Sequence, residues 1–344
     1  MNEALATPIR SLVTMGSQAT HAVTRSFDWT MIILGSWFLG GLFLDGWAHT
    51  HGKADESFFT PWHAVLYSGH LATLLYLSAQ WLRHRALPTG YGLSLGGALI
   101  FLVGGVGDFV WHELFGIERS IEALLSPTHL LLAFGLALVV SGPLRAAWQR
   151  PIADLRTLRE QLPMVLSLTF MLSIFTFFTQ FAHPTANAWG VGAVRAPVEQ
   201  ELGVTSILLD TALLMGAILF ILRRWPLAPG ALTLIFALNA GLMGFVFDQG
   251  PYPLQHLIVR SAAALIAELL LARWQPTPRR RLAWYSFAFV TPTVLYLLYF
   301  SMAHIVAGIA WTIHLWAGVA VLAGVVGFLI SLMAAPPDAQ FTAE

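Results

Sequence analysis

Apolar stretches of about 20 residues alternate along the chain with short breaks rich in Arg, Pro and Gly, the pattern of an all-α, polytopic membrane helix bundle. Ten such stretches can be drawn: 28–48, 61–82, 92–114, 125–147, 163–183, 203–222, 229–247, 253–272, 283–302 and 307–333. The last two are nearly continuous, divided only by a weak break from His304 to Gly308. Residues 1–27 lack the basic-then-apolar order of a cleaved signal peptide and predict a polar arm. The rest divides into helical halves at 28–150 and 151–335, with a short tail at 336–344.

Ten crossings set which breaks share a side. One side carries Arg10, Arg25, Arg83, Arg85, Arg145, Arg150, Arg156, Arg159, Arg223, Arg224, Arg273, Arg279, Arg280 and Arg281. The other carries only Lys53, Arg119 and Arg195, so the N-terminus is expected in the cytoplasm of a multi-pass protein of the cytoplasmic membrane. The same assignment sorts the histidines. His49, His51, His63, His112, His129, His183, His256, His304 and His314 fall at or near the outer ends of helices, His70 about two turns deeper, and only His21 and His84 inside.

Composition narrows the chemistry. The chain is 57% hydrophobic and 10% charged, against about 45–50% and 25% in a soluble domain. Its 18 basic and 18 acidic residues leave no patch for a polyanion, which excludes a nucleic-acid partner. The absence of cysteine excludes disulfides, Fe–S clusters and c-type haem, so any chemistry falls to His, Asp, Glu and hydroxyl side chains.

Two segments repeat one unit. Asp45-Gly-Trp-Ala-His49 is followed by Thr60-Pro61-Trp62-His63, and Asp108-Phe-Val-Trp-His112 by Ser126-Pro127-Thr128-His129, with 13 and 16 residues between the paired histidines. Asp and His at i and i+4 share one face of a closing helical turn. Ser or Thr before Pro is the chemistry of a helix start, which puts the second histidine in the first turn of the returning helix. Each hairpin thus presents one carboxylate and two imidazoles at one depth, a ligand set suited to copper, iron or zinc with positions left open. The plainer alternative is that each Asp only hydrogen-bonds its i+4 histidine and caps the hairpin.

The string Phe59-Thr60-Pro61-Trp62-His63 after Asp45-x3-His49, and the later Ser-Pro-x-His after Asp108-x3-His112, resemble the copper-ligating membrane subunit of the copper membrane monooxygenases, the particulate methane and ammonia monooxygenases. The resemblance implies intramembrane copper held by Asp45, His49 and His63 and by Asp108, His112 and His129. It implies an enzyme that oxidises a small apolar substrate with O2. It covers about 30–150. The histidine spacings are longer here by one and three residues, and the second unit opens on Asp where the family has Asn. Electron delivery would then need an unidentified donor or partner subunits, and the further expected partners are membrane lipid and, as a homo-oligomer, other copies of the chain.

Other polar residues offer secondary roles. His70 is a candidate for substrate binding, proton relay or core packing, and Glu113, Glu118 and Glu122 are candidates to orient imidazoles. His112-Glu113 lacks the second histidine of a zincin motif. In the second half His183, Asp210, Asp248, His256, Arg260, His304 and His314 form a further polar set, in which Arg260 needs Asp210 or Asp248 as partner. The leading expectation is a copper-dependent, monooxygenase-like oxidoreductase with one dinuclear or two mononuclear centres. A zinc-dependent intramembrane hydrolase and a metal transport or storage protein are the alternatives.

Overall fold

The computed structural model describes residues 6–53, 58–116, 121–187, 197–250 and 252–335, with side chains from residue 25 onward. Among the described residues the chain is helical and has no β-strand. Its long helices are α1 (Ala6–Thr50), α2 (Pro61–His84), α3 (Gly92–Phe115), α7 (Leu158–Phe178), α9 (Pro197–Leu222), α10 (Ala231–Val246), α11 (Pro253–Trp274), α12 (Arg281–Val306) and α13 (Ile313–Ala334). Shorter pieces are α4 (Glu122–Leu125), α5 (Pro127–Val140), α6 (Gly142–Trp148) and α8 (Pro184–Asn187). No proline follows Pro8 until Pro61, and the N-terminal arm from Ala6 runs as helix straight into the first apolar stretch.

Among the described residues, seven helical segments are long and apolar enough to cross a membrane: Arg25–Thr50 of α1, and α3, α7, α9, α11, α12 and α13. The protein is therefore a multi-pass helical membrane protein. The pair α5 and α6 passes the same test together but is bent by 43°. Pro143 in the first turn of α6 supplies no N–H to the carbonyls of α5, which breaks the helix there. Two further helices coincide with predicted stretches but fall short on composition or length: α2 carries Ser68, His70, Thr73, Gln80 and Arg83, and α10 has 16 residues. Large apolar side chains such as Ile33, Leu75, Val103, Leu269 and Met333 face outward, the arrangement that lipid tolerates and water does not.

Helix starts follow local chemistry. Thr60 and Ser126 accept the backbone N–H of His63 and His129 at 3.1 and 3.4 Å, with Pro61 and Pro127 as first helical residues. Thr157 and Glu160 form a reciprocal capping box on α7. Glu268 of α11 accepts the N–H groups of Leu232 and Thr233, so an acidic side chain caps the start of the neighbouring α10.

Small residues close the two hairpins. A Cβ on Gly69 of α2 would stand 2.9 Å from the Phe38 backbone of α1, and one on Gly135 of α5 would stand 2.8 Å from the Gly97 carbonyl oxygen of α3. The backbones approach where nothing but glycine fits.

Two apolar cores form. One gathers Phe38, Phe43, Leu66, Phe101 and Leu136 of the first half, and the other Ile218, Phe236, Trp284, Tyr296 and Phe300 of the second. Phe170 and Phe177 of α7 and Met243 and Val246 of α10 pack into the first core, while Leu168 and Phe236 of the same helices pack into the second. Helices α7 and α10 thereby join the halves. At one end of the bundle Asp28 is gripped by Arg150 at 2.5 Å and by the Tyr91 hydroxyl at 2.6 Å. At the opposite end the Thr50 hydroxyl donates to the Val246 carbonyl at 2.8 Å, and His51 meets Asp248 at 2.6 Å.

Candidate metal centre

Both repeated units assemble at that opposite end. Asp45 closes α1 with His49 one turn later, and the Thr60 cap starts α2 so that His63 returns at the same level. His49 Nε2 lies 3.8 Å from Asp45 Oδ2, and His63 Nε2 lies 3.4 Å from Asp45 Oδ1. In the second hairpin His112 Nε2 lies 3.6 Å from Asp108 Oδ2 and His129 Nε2 lies 3.1 Å from Asp108 Oδ1. In each triad one ligand atom per residue falls within 4.8 Å of the others, close enough to hold a metal ion.

Hydrogen bonding at the far ring nitrogen tells what the near one offers. His63 Nδ1 stands 2.5 Å from the Phe58 carbonyl, and His112 Nδ1 stands 3.3 Å from the Gly116 carbonyl. A carbonyl only accepts, so Nδ1 carries the proton, and a neutral His63 turns the lone pair of Nε2 toward the Asp45 carboxylate. Two acceptors facing each other at 3.4 Å require a cation between them, a second proton or a metal ion. A nitrogen and oxygen donor set without sulfur fits Cu(II), Fe or Zn, and a backbone carbonyl fixing the outer nitrogen is the usual support of a metal-bound imidazole.

The two groups are neighbours. The Phe58 ring lies 5.0 Å from His63 and 6.0 Å from His112, so one side chain spans both. His49 also lies within electrostatic reach of His112 and His129. The groups differ in exposure, since the His49 side chain is 37% exposed while Asp108 is 2% exposed and also accepts the Thr128 hydroxyl at 2.8 Å. The first group is flanked by Trp47 and Trp62, with ring centroids 5.8 Å apart.

The remaining candidates lie elsewhere. His70 hydrogen-bonds through Nε2 to the Ala98 carbonyl at 2.8 Å and packs on Phe101, a core position that ties α2 to α3. Glu113 and Glu122 are exposed, and Glu118 lies outside the described residues. Asp248 pairs with His51 and leaves Arg260 to Asp210, which Arg260 Nη2 meets at 2.6 Å. The Tyr296 hydroxyl donates to the same carboxylate at 2.5 Å, and His183 Nε2 lies 3.2 Å from its other oxygen. His256 is buried beside Tyr299, and His304 and His314 are exposed, apart from His183. Phe58, Tyr67 and Thr128, which complete the surroundings of the two groups, are not marked by the repeat: the residues matching Tyr67 and Thr128 in the other hairpin are Ala133 and Trp62.

No family model, curated protein or solved structure shows a match to the chain.

Proposed function

We propose that the chain is a metal-dependent integral membrane oxidoreductase of the copper monooxygenase kind, acting on a small apolar substrate near the outer membrane face. The observation that carries this reading is the convergence of two Asp/His/His groups, built by two successive hairpins, at one end of an apolar bundle. The resemblance of both units to the copper-ligating membrane subunit of the copper membrane monooxygenases points the same way. In this reading all ten predicted stretches cross the membrane, the N-terminus is cytoplasmic and both groups face the periplasmic or extracellular side.

Copper bound there would supply the redox chemistry that activates O2. The residues of the chain do the rest. Asp45 and Asp108 each bring a carboxylate, and the Phe58 carbonyl holds the proton of His63 on Nδ1 so that the lone pair of Nε2 faces the group. The Thr128 hydroxyl holds the Asp108 carboxylate in place. Phe58, Phe109 and Tyr67 give the space beside the histidines an apolar wall that limits water and receives an apolar substrate. Polar groups gather at this end instead of lining a path through the bundle, which disfavours a permease.

Metal analysis and EPR on the detergent-purified chain test the reading. Wild type is expected to hold about two metal ions, and His49→Ala and His129→Ala about one each, since loss of a ligand from a three-ligand site abolishes tight binding. Less than one ion per chain in wild type, or unchanged occupancy in both variants, would refute it. A Cu(II) signal supports the oxidoreductase, whereas stoichiometric EPR-silent zinc would make the same ligands a hydrolytic centre.

A further inference from the structure

Beside the two groups stands a side chain that the repeat does not contain. Tyr67 lies one helical turn beyond His63 on α2, with ring centroids 6.1 Å apart, and its ring packs against Phe58 and Phe101, each at 5.8 Å. From there the phenol crosses to α3, where it is accommodated by Gly105. A Cβ at that position would meet Tyr67 Cε1 at 2.7 Å and the hydroxyl oxygen at 3.2 Å. Gly105 precedes Asp108 by one turn on the same helix. The side chain therefore hangs from the helix that carries His63 and ends against α3 at Gly105, one turn before Asp108. Both Asp45 and Asp108 act electrostatically on the phenol.

Among the described residues the Tyr67 hydroxyl has no hydrogen-bond partner. Tyr67 is half-buried and its hydroxyl is still reached by solvent, so an acceptor delivered from water can pair with it. An O–H free of protein partners beside two clusters of metal-ligating atoms is placed to bond a small ligand that enters there.

We propose that Tyr67 is the hydrogen-bond donor to a small acceptor ligand of the water, hydroxide or azide class, held between the Asp45/His49/His63 and Asp108/His112/His129 groups. The proposal rests on the metal reading of those groups and adds to it a ligand-contacting residue and the class of ligand. Gly105 is part of the device, since only a residue without Cβ lets the phenol reach α3.

Azide is the probe, titrated into the copper-loaded, detergent-purified full chain and followed by its charge-transfer absorbance and by EPR. Tyr67→Phe keeps the ring and removes only the hydroxyl. It is expected to leave copper content and thermal midpoint unchanged and to weaken azide binding about tenfold, the effect of one lost hydrogen bond to an anion. Gly105→Ala, which displaces the phenol while keeping its hydroxyl, is expected to weaken azide binding in the same direction. Full copper content with unchanged azide affinity in Tyr67→Phe overturns the role of Tyr67 while leaving the metal reading intact. Loss of copper or of thermal stability in Tyr67→Phe makes the residue a structural support and also overturns it. A wild-type chain that binds no copper removes both proposals together.

Discussion

Asp45 and Asp108 hold equivalent places in a repeat yet meet different surroundings. Asp108 is buried and accepts the Thr128 hydroxyl, whereas the residue matching Thr128 in the first hairpin is Trp62, whose indole donates to the Lys53 carbonyl at 3.3 Å. The Asp and His spacing was legible because i and i+4 share a helix face whatever the tertiary fold. Phe58, Tyr67 and Thr128 were not, because what each touches is decided by how two hairpins pack. Thr128→Val keeps the shape and removes the donor. It is expected to cost about 1.5–3 kcal/mol, the range for a hydrogen bond to a charged group, read from thermal unfolding of the metal-free protein. Metal affinity of the second group should fall about tenfold, as for other supports of a ligating carboxylate, with the first group unchanged. Equal losses at both groups in a competition titration would contradict the assignment of Thr128 to Asp108 alone.

Helix positions were largely written in the apolar stretches and in the Ser/Thr-Pro starts, since both are local. What the helices do to one another was less accessible. Gly69 and Gly135 read as ordinary glycines in the sequence, and only the crossing backbones of α1 and α3 give them a purpose. The need of Arg260 for a carboxylate was evident from its place in an apolar stretch, but the choice between Asp210 and Asp248 depended on which helices pack. Asp248 stands 51% exposed on His51, and Asp210 is buried among α9, α11 and α12 with Arg260 and Tyr296. A buried pair broken on one side leaves a charge without solvent or partner. Asp210→Ala is therefore expected to destabilise the protein by about 3–5 kcal/mol, whereas Asp210→Leu combined with Arg260→Met should recover part of that loss, with the Tyr296 hydroxyl and His183 still lacking their acceptor. Thermal unfolding in detergent measures both, and a single variant as stable as wild type would show that the pair holds nothing together.

Across the whole molecule the scarce charge is sorted by end. Arginine collects at the end of the bundle where Asp28, Arg150 and Tyr91 meet, and the histidine and aspartate groups collect at the other. That sorting is what fixes a cytoplasmic N-terminus in the proposed topology, and it requires that α2 and α10 cross although both fall short of an ordinary span. At about 1.5 Å per residue, the 16 residues of α10 extend about 24 Å against a hydrocarbon layer of about 30 Å. Flanking turns at Gly230 and Phe247 must make up the difference, with local thinning of the bilayer. The chain contains no cysteine, so single cysteines report sidedness without a background to remove. Lys53→Cys and Gln249→Cys, at exposed positions beyond the ends of α1 and α10, should react with a membrane-impermeant maleimide in intact cells. Arg83→Cys and Arg223→Cys, exposed near the ends of α2 and α9, should react only after permeabilisation. Each pair isolates one of these two crossings. Lys53 and Arg83 bracket α2, and Arg223 and Gln249 bracket α10. Labelling of both members of one pair from the same side would mean that the helix between them does not cross, and would leave an odd number of crossings in all. The segments after that helix would then be inverted, and their arginines would no longer account for the orientation of the protein.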